Sequence, residues 1–168
     1  MSKIRILDDA SIRTRLRRMA FEIYENHYGH EQITVIGIDE RGGYLAQTLV
    51  EHLRQISPLE INLIESELDR AGQPLGIDLH LDDLGELKDQ PIVIVDDVLY
   101  TGYTLLNVVA ILLHAQPASI QTAVLIDRGH RLFPVAADIL GLQLATTLHQ
   151  RVHVEVDLQS QQMEAFLV

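Results

Sequence analysis

No cysteine occurs in the 168 residues, so disulfides, thiolate nucleophiles and cysteine-ligated metals are excluded. The absence fits a reducing compartment. Positive charge is also scarce. Thirteen lysines and arginines stand against 24 aspartates and glutamates, a formal net charge of −11, which makes the molecule as a whole a poor attractor for phosphate backbones or anionic membranes. Any nucleic-acid contact must then be local. Long apolar runs are missing too: the first 27 residues carry charges every few positions, with no segment of signal-peptide or membrane-spanning length, and a soluble cytoplasmic protein is expected. There is no internal repeat, low-complexity tract or interdomain linker. Neither of two common nucleotide signatures occurs, Gly-x-x-x-x-Gly-Lys-Ser/Thr or Gly-x-Gly-x-x-Gly.

What is present is an apolar chain, 47% hydrophobic, long enough to bury one sizeable core, so residues 1–168 are expected to form a single domain. Ile12, Leu16, Met19, Ala20 and Ile23 recur at helical spacing after Ser11, a good N-cap, and predict an amphipathic helix over 11–28 with Arg13, Arg15, Arg17 and Arg18 on its rim. "ITVIGI" (33–38) and "PIVIV" (91–95) are β-branched and apolar on both faces, as buried parallel strands are. "LEINLIE" (59–65) and "IQTAVLI" (120–126) are further strands. "DERGG" is predicted as a turn before a helix over 44–55. A strongly apolar helix carries Leu105, Val108, Val109, Leu112 and Leu113 and ends before Pro117. A short apolar segment follows over 135–140, and "RVHVEVDL" alternates as an edge strand does. Residues 66–90 mix Gly, Pro and charge without periodicity and predict a flap or loose hairpin. This alternation implies a three-layer α/β domain with a mainly parallel sheet.

In such sheets ligands bind beyond the carboxyl ends of the strands, where "DERGG", "DDVLYTGYT" and "DRGHR" would gather. Thr101, Gly102 and Thr104 stand just before a helix, where free amides and the positive dipole end favour a phosphate. Asp96 and Asp97 are wrong for a bare phosphate. They suit the two hydroxyls of a ribose, or a magnesium ion. A lone Asp-Asp pair would merely end a strand, with Thr104 as a helix cap. Here strand, two acids, hydroxyl-glycine turn and apolar helix occur in order, and the whole reads as a sugar-phosphate site. Asp78, His80, Asp82 and Asp83 contain metal-ligating types, but within a polar loop they read as solvation.

"VIVDDVLYTGYT" resembles the phosphoribosyl-pyrophosphate motif of type I phosphoribosyltransferases. "GIDERGGYLAQTL", "AVLIDRGHRLFPVAAD" and "RVHVEV" resemble segments of one branch, the PyrR-type pyrimidine-operon regulators with uracil phosphoribosyltransferase activity. The resemblance runs from residue 12 to 157. It implies the three-layer type I phosphoribosyltransferase fold, with a mainly parallel central sheet and a flexible flap, and transfer of phosphoribose to a nucleobase, uracil giving UMP and pyrophosphate. By the same resemblance Asp96 and Asp97 are catalytic, hold the ribose hydroxyls and work with Mg2+. Thr101, Gly102, Tyr103 and Thr104 cradle the 5-phosphate beside Tyr100, while Arg41 and Gly42 meet the pyrophosphate. Arg128, Gly129 and His130 lie near the base or pyrophosphate, and Arg70 is the flap's candidate for a pyrophosphate contact. A homo-oligomer, a dimer, is expected.

The sequence departs from that branch at several points. Glu40 and Tyr103 stand where a neutral hydroxyl residue and an arginine are expected, Phe21 stands where the RNA-binding face would carry a histidine, and "ATTLHQRV" replaces a Ser/Arg-rich approach. The flap is also shorter. Two functions follow: a phosphoribosyltransferase, or a nucleotide-sensing regulator acting through RNA or a protein partner with weak or no catalysis. One basic helix on an acidic body predicts no tight RNA binding.

Overall fold

The chain runs β1 (Ile4–Leu7), α1 (Asp9–Asn26), β2 (Gln32–Ile38), α2 (Asp39–Ile56), β3 (Glu60–Asp69), β4 (Gly76–Asp78), a 3₁₀ turn (Leu84–Leu87), β5 (Pro91–Leu99), α3 (Tyr103–Leu113), β6 (Ser119–Asp127), β7 (Ile139–Gln143), β8 (Val152–Asp157) and β9 (Gln162–Leu167). This is the computed structural model, which describes residues 3–71, 76–79, 84–147 and 149–168. Six strands form the central sheet in the order β4-β3-β2-β5-β6-β7. All neighbours are parallel except β4, which returns antiparallel along β3.

Alternate side chains of the inner strands point to opposite faces, which is why these strands are apolar throughout. Ile33, Val35, Val93 and Val95 pack with α1 and α2, whereas Ile36, Ile38, Ile92 and Ile94 pack with Leu105, Val108 and Leu112 of α3. The sheet is therefore covered on both sides, as expected. Ile12, Leu16, Met19, Ala20 and Ile23 of α1 are all fully buried, as their spacing predicts. The helix begins earlier than residue 11, because Asp8 and not Ser11 is the N-cap: its Oδ1 accepts the Ser11 N–H at 2.9 Å.

Two boundaries differ in ways that matter for the site. "DERGG" is the first turn of α2 and not a loop. Glycines on both elements permit close approach: a Cβ on Gly42 would stand 2.7 Å from the Val95 carbonyl oxygen, and one on Gly37 of β2 would stand 2.5 Å from the Gly43 Cα. β5 also runs past Val95 to Leu99, so the paired acids lie within the strand, still bonded to β6 through Asp96–Val124 and Val98–Ile126 pairings. The segment after β6 becomes a strand only from Ile139.

A second sheet, β1-β9-β8, is antiparallel and joins the two ends of the chain. The predicted edge strand is its outer member. β1 and β9 were not foreseen. Within 66–90, β3 continues to Asp69 and pairs with β4, so the predicted hairpin exists at its base. His80, Asp82 and Asp83 lie outside the described residues. No helix among the described residues is long and apolar enough to cross a membrane.

Candidate functional site

Strand order reverses between β2 and β5, since α2 leads outward to β3 and α3 leads the other way to β6. In open α/β sheets ligands bind in the crevice at such a reversal of strand order. A cavity of about 580 Å³ opens there, lined by Asp39, Glu40 and Arg41 from α2, Glu67, Leu68 and Arg70 from the β3 arm, and Asp96, Asp97 and Thr104 from β5 and α3. The Arg41 guanidinium lies 3.6 Å from the Asp97 carboxylate. The Asp39 carboxylate accepts the Leu68 N–H at 2.9 Å and the Arg70 guanidinium at 2.5 Å. Asp39 has φ 54°, a left-handed conformation that aspartate tolerates better than most residues.

The acids hold their own backbone in place. Asp96 Oδ1 accepts the Asp97 N–H at 2.8 Å, and Asp97 Oδ1 accepts the Val98 N–H at 2.7 Å. Burial first, and then the adjacent Asp97 charge, push the Asp96 carboxyl well above the usual carboxylate range. A buried carboxyl beside a second acid suits a partner that is cationic or donates hydrogen bonds. Among the described residues no three His, Cys, Asp or Glu side chains cluster as a complete metal site. Magnesium needs no such cage, because it keeps waters and takes one or two carboxylates plus substrate phosphates, so Asp96 and Asp97 fit it in that mode.

At the end of β5 the chain turns into α3 through Gly102, whose φ of 85° provides the helix N-cap. A Cβ there would strike the Val135 side chain at 2.6 Å. Thr101 Oγ accepts the Tyr103 N–H at 3.2 Å, and its carbonyl accepts Leu132 N–H at 2.9 Å and Phe133 N–H at 3.1 Å. The Tyr103 ring packs on Phe133, 5.5 Å between centroids. Of the predicted phosphate turn, Thr104 lines the main cavity.

A second cavity of about 550 Å³ shares Arg41, Asp97 and Val98 with the first and adds Tyr100, Arg128, Arg151, Val152, His153 and Val168. Arg128 is buried, 3% exposed. Its guanidinium stacks 4.0 Å from the Tyr100 ring centre and donates to Thr146 Oγ at 3.0 Å and to the carbonyls of Thr147 and Gln150. Gly129, at φ 73°, donates its N–H to Asp127 at 2.7 Å, and the His130 ring bonds the Thr146 carbonyl. Arg128 and His130 thus tie the turn after β6 to Thr146, Thr147 and Gln150, just before Arg151, Val152 and His153 of the second cavity's wall. Gly42, in the first turn of α2, packs against β5.

The structure gathers Asp96, Asp97, Arg41 and Thr104 around one cavity and Tyr100 and Arg128 around its neighbour. Asp39, Glu67, Arg151 and His153 were not singled out from the sequence. Only the tertiary approach of β3 and β8 brings the last three there; Asp39 lay inside "DERGG" and was passed over as a turn residue.

Comparison with known proteins agrees with this architecture. A family model described as the phosphoribosyl transferase domain matches residues 5–161. The Bifunctional protein PyrR of Bacillus subtilis is 38% identical over 165 residues, covering 90% of this chain and 89% of that protein. That of Leuconostoc mesenteroides is 33% identical over 157 residues, covering 90% of each. Among solved structures, a hypoxanthine-guanine phosphoribosyltransferase of Bacillus anthracis superposes with TM-score 0.73 at 16% identity, covering 85% of this chain and 83% of that one. A hypoxanthine phosphoribosyl transferase of Trypanosoma cruzi gives TM-score 0.75 at 18% identity, covering 85% and 78%. At such identities these two speak for the fold alone.

Proposed function

This chain belongs to the phosphoribosyltransferase family, and from that premise we propose that it transfers phosphoribose from phosphoribosyl pyrophosphate to a nucleobase. Uracil is the acceptor implied by the resemblance of its motifs to PyrR-type regulators. The observation that carries the reading is the meeting of Asp96, Asp97, Arg41 and Thr104 around one cavity at the switch point of the sheet. A pyrimidine nitrogen loses its N–H proton to solvent and attacks the anomeric carbon while the bond to pyrophosphate breaks, and that bond's electron pair leaves with the pyrophosphate oxygen. Positive charge develops on the ribose ring. Asp96 and Asp97 hold the ribose hydroxyls and stabilise that charge, Arg41 faces the leaving pyrophosphate, and Thr104 at the start of α3 receives the 5-phosphate. Asp96 or Asp97 would hold a magnesium ion entering with the substrate, which would supply charge neutralisation at the pyrophosphate. The β3–β4 arm is suited to excluding water from the activated sugar.

A second reading has its own support. Asp39, Glu40 and Glu67 add three carboxylates to the lining of the cavity, which disfavours a polyanion and suits a sensor with weak turnover. An RNA groove on α1 has less support. Arg13 bonds Asp9 and the Gln161 carbonyl, Arg15 bonds the Ser11 carbonyl, and Arg18 bonds Glu22 and the carbonyls of Leu140 and Gly141. The site is tested by thermal unfolding with phosphoribosyl pyrophosphate and magnesium. At about 100 times its dissociation constant the ligand stabilises the fold by roughly 2.7 kcal/mol. No shift at millimolar ligand refutes the site.

A further inference from the structure

Resting on that reading, we infer that Asp39 is a built-in competitor for the anion site: it holds Arg70 in the free protein and releases it to an incoming pyrophosphate group. Two guanidiniums line the main cavity, and both already face carboxylates of the chain itself, Arg41 with Asp97 at 3.6 Å and Arg70 with Asp39 at 2.5 Å. Among the described residues, an anion entering the cavity meets no uncommitted cation of the lining. It must displace one of these pairs, while Glu40, Glu67 and Asp97 repel it.

The two pairs are not equivalent. Asp97 belongs to the paired acids of β5, where it is fixed by its bond to the Val98 N–H. Arg70 sits just beyond the end of β3 on the arm, its side chain 66% exposed, so its long stem is free to turn. Asp39 is the fixed member of its pair. Its side chain is 29% exposed, its backbone is locked at φ 54°, and its other oxygen is tied to the Leu68 N–H. Arg70 therefore moves and Asp39 stays. A pyrophosphate offers Arg70 several charged oxygens where Asp39 offers one, and bidentate geometry favours the exchange. Each exchange leaves Asp39 unpaired beside an anion, so the acid sets a threshold that only a strongly charged, multidentate ligand passes.

Isothermal titration with inorganic pyrophosphate at fixed magnesium concentration tests this in four proteins: wild type, Asp39→Asn, Arg70→Gln and the double variant. Asparagine tolerates the left-handed conformation and keeps an oxygen for Leu68, so Asp39→Asn removes the charge and little else. Arg70→Gln alone weakens binding by roughly tenfold, as the loss of a charge-assisted contact should. Asp39→Asn tightens binding, by roughly fivefold more with Arg70 present than in the Arg70→Gln background, because only the first comparison includes the broken ion pair. An equal gain in both backgrounds, or weaker binding by Asp39→Asn, overturns the exchange while leaving the site itself intact. A wild-type protein that takes up no pyrophosphate overturns both the exchange and the site.

Discussion

Gly37→Ala perturbs the joint on which the site is built, and its effect can be worked from distances. The added Cβ would lie 2.5 Å from the Gly43 Cα, 2.7 Å from the Gly42 carbonyl oxygen and 2.7 Å from the Gly43 N–H nitrogen. All three are backbone, so none can rotate aside. Carbon atoms pack at about 3.5–4.0 Å, so the first turn of α2 must retreat by about 1 Å. Overpacking of this kind costs about 1–3 kcal/mol. That lowers the melting temperature by roughly 2–4 °C per kcal/mol in a chain of this size. The same retreat carries Asp39 and Arg41 away from Asp97, and a misplacement of about 1 Å can reduce turnover on the order of 100-fold. Gly43→Ala is the control, since its Cβ meets only Glu65 Cγ at 3.9 Å. Within a helix it should stabilise by up to about 1 kcal/mol. Urea and thermal unfolding of both variants, with pyrophosphate affinity alongside, read the difference. Equal stability of the two variants, or a Gly37→Ala protein indistinguishable from wild type, would refute the close-packing argument.

Asp97→Asn keeps an oxygen for the Val98 N–H and should lose turnover by about 100-fold or more with little change in melting temperature; wild-type rates would remove Asp97 from the mechanism. His27 is buried, its ring nitrogen Nδ1–H donates to the Ile23 carbonyl at 2.8 Å, and burial lowers its pKa. The unfolded chain then binds the proton more readily, so the stability from neutral His27 is complete above about pH 6.5 and is lost as pH falls through the lowered folded value. A His27→Gln variant should show a shallower loss of stability between about pH 7 and 5 than wild type, the rest of the slope including His52, whose pKa is also lowered by burial. Filter binding with a pyrimidine-operon leader RNA should show no tight, sequence-dependent association at physiological salt, since three of the four α1 arginines are engaged within the fold; nanomolar, nucleotide-responsive binding would make regulation the primary function.

The parts of this molecule that the sequence announced are those set by local pattern. β-branched runs marked β2, β5 and β6, and the five buried residues of α1 marked its inner face. The order of strand, acids, glycine turn and helix marked the crevice. Glycine misleads where it has two uses: at Gly42 it allows a helix to approach a strand, whereas the Gly-Gly pair reads locally as a turn. β9 is the hairpin partner of β8, a local pairing the sequence reading missed; β1 escapes because its pairing with β9 joins residues more than 150 positions apart, such as Ile4 with Leu167, and nothing local signals it. The same holds for Glu67, Arg151 and His153, which reach the cavities through the neighbours of their strands. Arg128 was recognised as notable, but only the fold shows it buried and bonded to the 146–150 segment.

Group transfer is most directly tested by release of pyrophosphate from phosphoribosyl pyrophosphate with magnesium, measured separately with uracil, orotate, hypoxanthine, guanine and adenine. Base-dependent release, greatest with uracil and absent in Asp97→Asn, is the predicted result. Binding of the substrate without release for any of the five bases would contradict transfer and leave the cavity as a sensor of nucleotides.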